Sequence, residues 1–286
     1  MDRKKRTVGE IRASKKTGEK FVYTSVPDYT SAQWAEAAGV DVVVVGDSLA
    51  MISHGHASTI PATMAMMVMH AQSVRRGAPN TFSLGCMPYK SYYDPNLAVS
   101  NAARFMQEGG CEAVKPQAGR AQAHILKAII DAGIPTASHI GMAPHKIAQY
   151  GGFRVQGKTA QDAMLILEDA LAIQDAGCFM VEFEAVPHTI ARMISQELEI
   201  PTIGIGAGVG TDGQILLSYD LLGLFSDFKP KFTKRYANVS EVAIKGLSAY
   251  VKDVKSGRFP DEDHSYACEE EVVEEFGTML EMRRQI

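Results

Sequence analysis

The feature that most constrains this chain is an alternation of short apolar runs, rich in β-branched residues, with helical stretches. The runs are Phe21–Thr24, Asp41–Val45, Thr81–Leu84, Ala113–Lys115, Thr136–His139, Phe179–Glu184 and Thr202–Ile205, with a weaker one at Ile215–Leu217. They are mostly apolar rather than alternating, the pattern of parallel strands covered on both faces. The helical stretches have readable ends. Ser31–Ala38 stops at Gly39, Ala121–Ala132 at Gly133 and Ala160–Ala176 at Gly177. Another begins with Asp94 as N-cap and Pro95 in first position, turns Leu97, Ala98, Ala102, Phe105 and Met106 inward, and ends at Gly109-Gly110. Proline just inside the start and glycine just past the end are the chemistry of helix termini. Seven or eight βα units in about 220 residues predict a (β/α)8 TIM barrel, with a doubly wound open sheet as the competitor.

Composition narrows the classes. With 286 residues, 46% apolar content and a formal charge of −4, the chain has ample surface to bury and no net basic character. Disorder and a nucleic-acid partner are therefore not expected. No apolar run approaches the ~20 residues of a membrane span. The start, MDRKKRTVGEIRASKK, is basic but lacks the apolar stretch and cleavage site of a secretory signal. The expectation is a cytoplasmic protein with no membrane partner. Cys86, Cys111, Cys178 and Cys268 are scattered, which predicts free thiols, three of them in or near the core. No linker rich in Pro, Gly or Ser interrupts the chain. The predicted organisation is a basic segment over 1–20, one barrel domain over 21–266 and a tail over 267–286. That tail is acidic at first, then places Val272, Val273, Phe276, Leu280 and Met282 at rough helical spacing. Packing on the barrel or on a neighbouring subunit, and a frayed solvated end, are both open to it.

In such barrels the chemistry sits where strands end and βα loops begin. Those positions read Gly46-Asp47-Ser48, Gly85-Cys86-Met87-Pro88, Lys115-Pro116-Gln117, His139-Ile140-Gly141, Glu182-Phe183-Glu184 and Gly204-Ile205-Gly206-Ala207-Gly208. Burying polar groups unpaired at so many strand ends would cost several kcal/mol each. Convergence on one pocket is the reading that explains them together. Glu182 and Glu184 share one face of their strand, so they form either a coupled pair or a catalytic Glu184 beside a Glu182 that pairs with a cation. The Gly204–Gly208 loop lacks the Lys-Ser/Thr of a phosphate-binding loop, and close backbone approach to a ligand is its expected role.

The strings VVVVGDSLAM, HGHASTIPAT, VRRGAPN, GGFRVQGK, EAVP, IPTIGIGAGVGTDGQIL, PKF and SGRFPDEDHSY, in this order, resemble the ketopantoate hydroxymethyltransferase family. The resemblance runs from about Phe21 to Tyr266, nearly the whole chain. It implies a (β/α)8 enzyme that binds a 2-oxo acid through a divalent metal, usually Mg²⁺. Such an enzyme transfers a hydroxymethyl group from 5,10-methylenetetrahydrofolate to 3-methyl-2-oxobutanoate, giving 2-dehydropantoate. The physical need is clear: a C–H beside a ketone is a weak acid, so the developing enolate must be met by positive charge. By the same resemblance, Asp47 is a metal carboxylate that also contacts substrate. Ser48 holds the substrate carboxylate, Cys86, Lys115 and His139 contact the 2-oxo acid, and Glu184 is the general base. A homo-oligomer, commonly a decamer, is implied as well.

Departures fall in the pocket. The family has Asp where this chain has Cys86 and Glu where it has Gln117, two of the three carboxylates associated with the metal. Pro27 replaces a tyrosine, Ala50 a glycine and Pro116 an aliphatic residue. A hard, strongly hydrated ion gains little from an amide or a thiol, so Mg²⁺ binding through Asp47, Cys86 and Gln117 should be weakened. Three outcomes stay open: a metal held by Asp47, substrate and waters; a softer ion such as Zn²⁺ or Co²⁺ on Cys86; or no metal, with Lys115 and His139 stabilising the enolate. Two functional classes follow. One is an enzyme of the family type, acting on this or another 2-oxo acid, and the other is a non-catalytic ligand-binding relative. Retention of Asp47, Lys115, His139 and Glu184 favours the enzyme.

Overall fold

The computed structural model describes residues 4–226 and 230–285; residues 1–3 of the basic segment and residue 286 of the tail lie outside them. The strands are β1 (Phe21–Ser25), β2 (Val42–Val45), β3 (Phe82–Cys86), β4 (Ala113–Lys115), β5 (Ser138–Gly141), β6 (Val181–Glu184), β7 (Thr202–Ile205) and β8 (Gly213–Leu217). They form one parallel sheet in the order β4-β3-β2-β1-β8-β7-β6-β5. A parallel bridge between Val114 and Thr136 joins β4 to the chain entering β5 and brings the two edges of the sheet together. This is the expected TIM barrel. β2 is buried at every position, which is why Val42–Val45 could be an unbroken apolar run.

The helices outside the ring are set by their caps. Asp94 accepts from the Leu97 N–H ahead of Pro95–Gln107, and Thr159 accepts from the Asp162 N–H ahead of Ala160–Asp175. Pro95–Gln107 buries Ala98, Ala102 and Phe105 as expected, whereas Leu97 and Met106 are only half-buried. Among the described residues of the barrel unit, three further helices of eight residues or more had not been predicted: Val8–Thr17, Met64–Gly77 and His188–Glu197. Val8–Thr17 starts with a capping box in which Thr7 accepts from the Glu10 N–H while the Glu10 side chain accepts from the Thr7 N–H.

The chain divides into two compact units, Met1–Ala237, which carries the barrel, and Asn238–Ile286. The second holds helices Val239–Lys255 and Glu270–Arg284. Val272, Val273, Phe276 and Met282 on the latter are exposed and Leu280 is half-buried. Among the described residues no helix is long and apolar enough to cross a membrane. Cys86, Cys111 and Cys178 are buried free thiols and Cys268 is an exposed one.

Candidate active site

Strand register brings the polar strand ends together. Cys86 at the end of β3 is level with Lys115 at the end of β4, and His139 of β5 is level with Glu182 of β6. Asp47 and Ser48 follow directly from β2, and Gln117 lies two residues past β4. Asp47, Ser48, Cys86, Lys115, Gln117, His139 and Glu184 all line one cavity of about 270 Å³, together with Glu182. All of them except Ser48 are buried.

Two hydrogen-bonded groups make up the floor. In the first, Asp47 Oδ2 meets His145 Nε2 at 2.9 Å and accepts from Gln117 Nε2 at 3.2 Å. His145 Nδ1 lies 2.7 Å from the Tyr92 hydroxyl, which also receives the Gln117 N–H, and the Gln117 amide oxygen accepts from the His145 N–H at 3.1 Å. Burial works to raise the Asp47 carboxyl, but the hydrogen bond from His145 and the nearby Lys115 and His139 charges outweigh it and hold Asp47 below the usual carboxylate range.

In the second group, Lys115 Nζ forms a buried ion pair with Glu182 Oε2. Because β5 stands between their strands, the pair reaches across the barrel mouth. Burial works against the Lys115 charge; Cys86, Glu182 and Asp47 restore it and raise the ammonium above its ordinary value. His139 Nε2 sits 3.1 Å from Glu184 Oε2 and 3.1 Å from the Met142 carbonyl oxygen, and Nδ1 is 3.6 Å from Glu182 Oε1. Burial opposes the imidazolium, yet the two glutamates raise His139 overall. Glu184 is raised too, because burial, with Glu182 adding to it, exceeds the pull of His139. Glu182 thus has the cation partner foreseen as one of its two roles, and that cation is Lys115.

Cys86 is a buried thiol pushed up to about 12, chiefly by burial, with Lys115 pulling the other way. The set Asp47, Cys86 and Gln117 therefore offers a divalent ion one carboxylate, one protonated thiol and an amide already bonded through both its nitrogen and its oxygen. That donor set does not fit a resident Mg²⁺ ion, which needs hard oxygens in near-octahedral array. A different group, His139, Glu182 and Glu184, has ligand atoms within 4.8 Å of one another and could hold a metal ion.

Sequence reasoning missed His145 and Tyr92, and gave no role to Arg154 and Lys231, which line the cavity. The last two lie in the strings GGFRVQGK and PKF, a signal that was present. Asp220 lines the cavity as well, with its carboxyl pushed up to about 6 by burial against the opposing charge of Arg235. In the Gly204–Gly208 loop the close approaches are to protein side chains. Gly206 and Gly208 have φ of +66° and +79°, and a Cβ there would lie 2.5 Å from the Phe232 ring and 2.3 Å from His188 Cβ. The glycines admit protein side chains, and the Phe232 that Gly206 admits is itself part of the cavity wall.

The sequence profile of the ketopantoate hydroxymethyltransferase family matches residues 5–262. The chain belongs to this family. It is 72% identical over 285 residues to 3-methyl-2-oxobutanoate hydroxymethyltransferase 1 of Methylibium petroleiphilum, covering 100% of this chain and 97% of that protein. It is 42% identical over 262 residues to 3-methyl-2-oxobutanoate hydroxymethyltransferase of Thermus thermophilus, covering 92% and 100%. Membership makes the chain an enzyme of the transferase class. Among solved structures, phosphoenolpyruvate phosphomutase from Streptomyces platensis subsp. rosaceus superposes with a TM-score of 0.60 at 16% identity, over 98% of both chains. A phosphonopyruvate hydrolase complex with oxalate and Mg²⁺ superposes with 0.60 at 10% identity, over 97% of this chain and 96% of that one. At such identities these share the barrel fold with the family and nothing more.

Proposed function

We propose that this chain transfers the one-carbon unit of 5,10-methylenetetrahydrofolate to C3 of 3-methyl-2-oxobutanoate. With one water consumed, the products are 2-dehydropantoate and tetrahydrofolate. The observation that carries the reading is a carboxyl held above its ordinary range, Glu184, in the same cavity as the buried Lys115 ammonium and the His139 ring. The substrate and reaction come from the printed names of the relatives.

In this reading the keto oxygen and carboxylate of the 2-oxo acid face Lys115, His139 and Ser48. Glu184 takes the C3 proton, and the electron pair of that C–H bond moves into the C2–C3 bond and onto the keto oxygen. A raised carboxyl is suited to this, since a base works best with an affinity for protons near the working pH. Lys115 and His139, both buried, meet the enolate oxygen as preorganised groups. C3 then bonds to the one-carbon unit and water supplies its hydroxyl; the two folate C–N bonds break, one nitrogen receiving the proton taken from C3 and the other a proton of the water. No step is routed through Asp47, Cys86 and Gln117 as a metal centre. Their network instead shapes the wall beside the substrate, and the third outcome foreseen from the sequence, charge stabilisation by Lys115 and His139, is the one adopted. The same reading carries a cytoplasmic homo-oligomer of decamer size, whose mass light scattering measures.

The test is chromatographic detection of 2-dehydropantoate from the two substrates, with and without EDTA. Product formed in both supports the reading. No product with any divalent ion present contradicts it and favours a binding relative or another 2-oxo acid.

A further inference from the structure

Outside the cavity, the described residues hold a second concentration of metal-ligating side chains. His54 follows the short helix Leu49–Ile52 and His70 lies on helix Met64–Gly77. Their Nε2 atoms are 3.0 Å apart, with ring centroids 5.2 Å apart and ring planes at 75°. His70 Nδ1 is hydrogen-bonded to the Pro27 carbonyl oxygen. A carbonyl can only accept, so Nδ1 carries the hydrogen and Nε2 of neutral His70 carries the lone pair, aimed at His54. Fixing the tautomer through the far nitrogen is how proteins orient histidine ligands. His56, two residues on, places a third ring roughly parallel to that of His54, at 6.5 Å and 21°. His54 and His56 are exposed.

We propose that His54 and His70 form a two-imidazole site for a first-row transition-metal ion, water filling the remaining positions. The spacing supports this and says which ions. Two nitrogens each about 2.05 Å from one ion stand about 2.9 Å apart at a 90° angle and about 3.3 Å apart at a tetrahedral one. The observed 3.0 Å is the 90° edge, the geometry of Ni²⁺ or Cu²⁺, and Zn²⁺ needs only a small opening. Imidazole nitrogens give Mg²⁺ no such preference. Binding replaces the hydrogen between the two Nε2 atoms with the ion, and neutral His54 then carries its hydrogen on Nδ1.

The position gives the ion a structural consequence. Ser48, Met51, Ile52 and Thr59, on the same loop as His54, line the cavity, while Pro27, the anchor of His70, follows β1. An ion on the two rings ties the β2 loop to helix Met64–Gly77 and to the β1 loop at the cavity rim. The inference is independent of the proposed reaction, because it is read by binding.

The experiment is calorimetric titration of the full chain with Ni²⁺, repeated with Mg²⁺ and repeated on His54→Gln. The expected result is one Ni²⁺ equivalent lost, or weakened more than about tenfold, in His54→Gln, with Mg²⁺ producing no corresponding change. Ni²⁺ should also raise Tm of the wild type by a larger margin than that of His54→Gln, as binding to the folded state requires. His54 is exposed, so the circular dichroism spectrum of the variant should match the wild type in EDTA. Identical Ni²⁺ stoichiometry and affinity in the wild type and in His54→Gln would overturn the proposal.

Discussion

The two ends of the barrel both bury charge, and they do it differently. At the end where strands begin, Asp212 Oδ2 accepts from the Thr202 N–H, the Thr202 hydroxyl and the Ser195 hydroxyl, and pairs with Lys15 at 3.0 Å. Asp41 at the same end accepts from Arg6 and from the Val22 N–H. Each of these two carboxylates meets more than one donor, and neither lines the cavity. At the other end, Glu184 has His139 as its side-chain partner and opens onto the cavity. Asp212 ties the chain entering β8 to β7, and Asp41 ties the chain entering β2 to β1. Carboxylates that open onto the cavity, as Glu184 does, are the ones available to a substrate.

The largest difference should appear in rate. Glu184→Gln is expected to lower turnover by about 10²–10⁴-fold while 2-oxo acid affinity changes a few-fold, read by steady-state kinetics and calorimetry. An unchanged rate would place Glu184 with the structural carboxylates. Next, Lys115→Met leaves buried Glu182 with only the longer His139 contact and should cost about 3–5 kcal/mol in urea unfolding. Adding Glu182→Gln should recover part of that loss, because the charge left with that contact alone is gone. If the double variant is no better than the single one, the pair is not the unit described.

Asp212→Asn sharpens the contrast from the other side. It should cost about 1–3 kcal/mol of stability through unsatisfied donors, with turnover per folded molecule unchanged. The smallest effect is one of pH. Glu184 is raised in the folded state, so its ionised form opposes folding above that raised pKa, and the penalty disappears as pH falls through the folded and then the unfolded value. Glu184→Gln should therefore melt higher than the wild type at neutral pH, with the gain shrinking on acidification. Asp47, held low, has the opposite sign: its stabilising contribution is present at neutral pH and is lost as pH falls through its lowered folded value.

Legibility in the sequence divides along the same physical line. Each strand lies within a few residues of its apolar run, because burial on both faces leaves a continuous signal. Helices with a cap at one end and Gly at the other, Pro95–Gln107 and Ala160–Asp175, were equally readable. Val8–Thr17 was not, although Thr7 and Glu10 form a capping box, since it buries only Ile11 and Ser14 and reads as a basic segment. In the site, Lys115, His139 and Glu184 were visible because they end strands. His145 was not: it sits in the short turn Pro144–Lys146, and its partners Asp47 and Tyr92 are 98 and 53 residues away. No local pattern encodes a contact of that range. Cys86 and Gln117 were visible only as departures, and their consequence, an Asp47 bonded to His145 and Gln117, needed coordinates.

The account rests on proton removal from C3 by Glu184 next to Lys115 and His139. Proton NMR of 3-methyl-2-oxobutanoate in deuterated buffer, with enzyme and without folate, measures that step alone. The expected record is loss of the C3 proton signal at a rate proportional to enzyme, abolished in Glu184→Gln. A C3 signal that persists with the wild-type protein, or that disappears equally fast with Glu184→Gln, contradicts it.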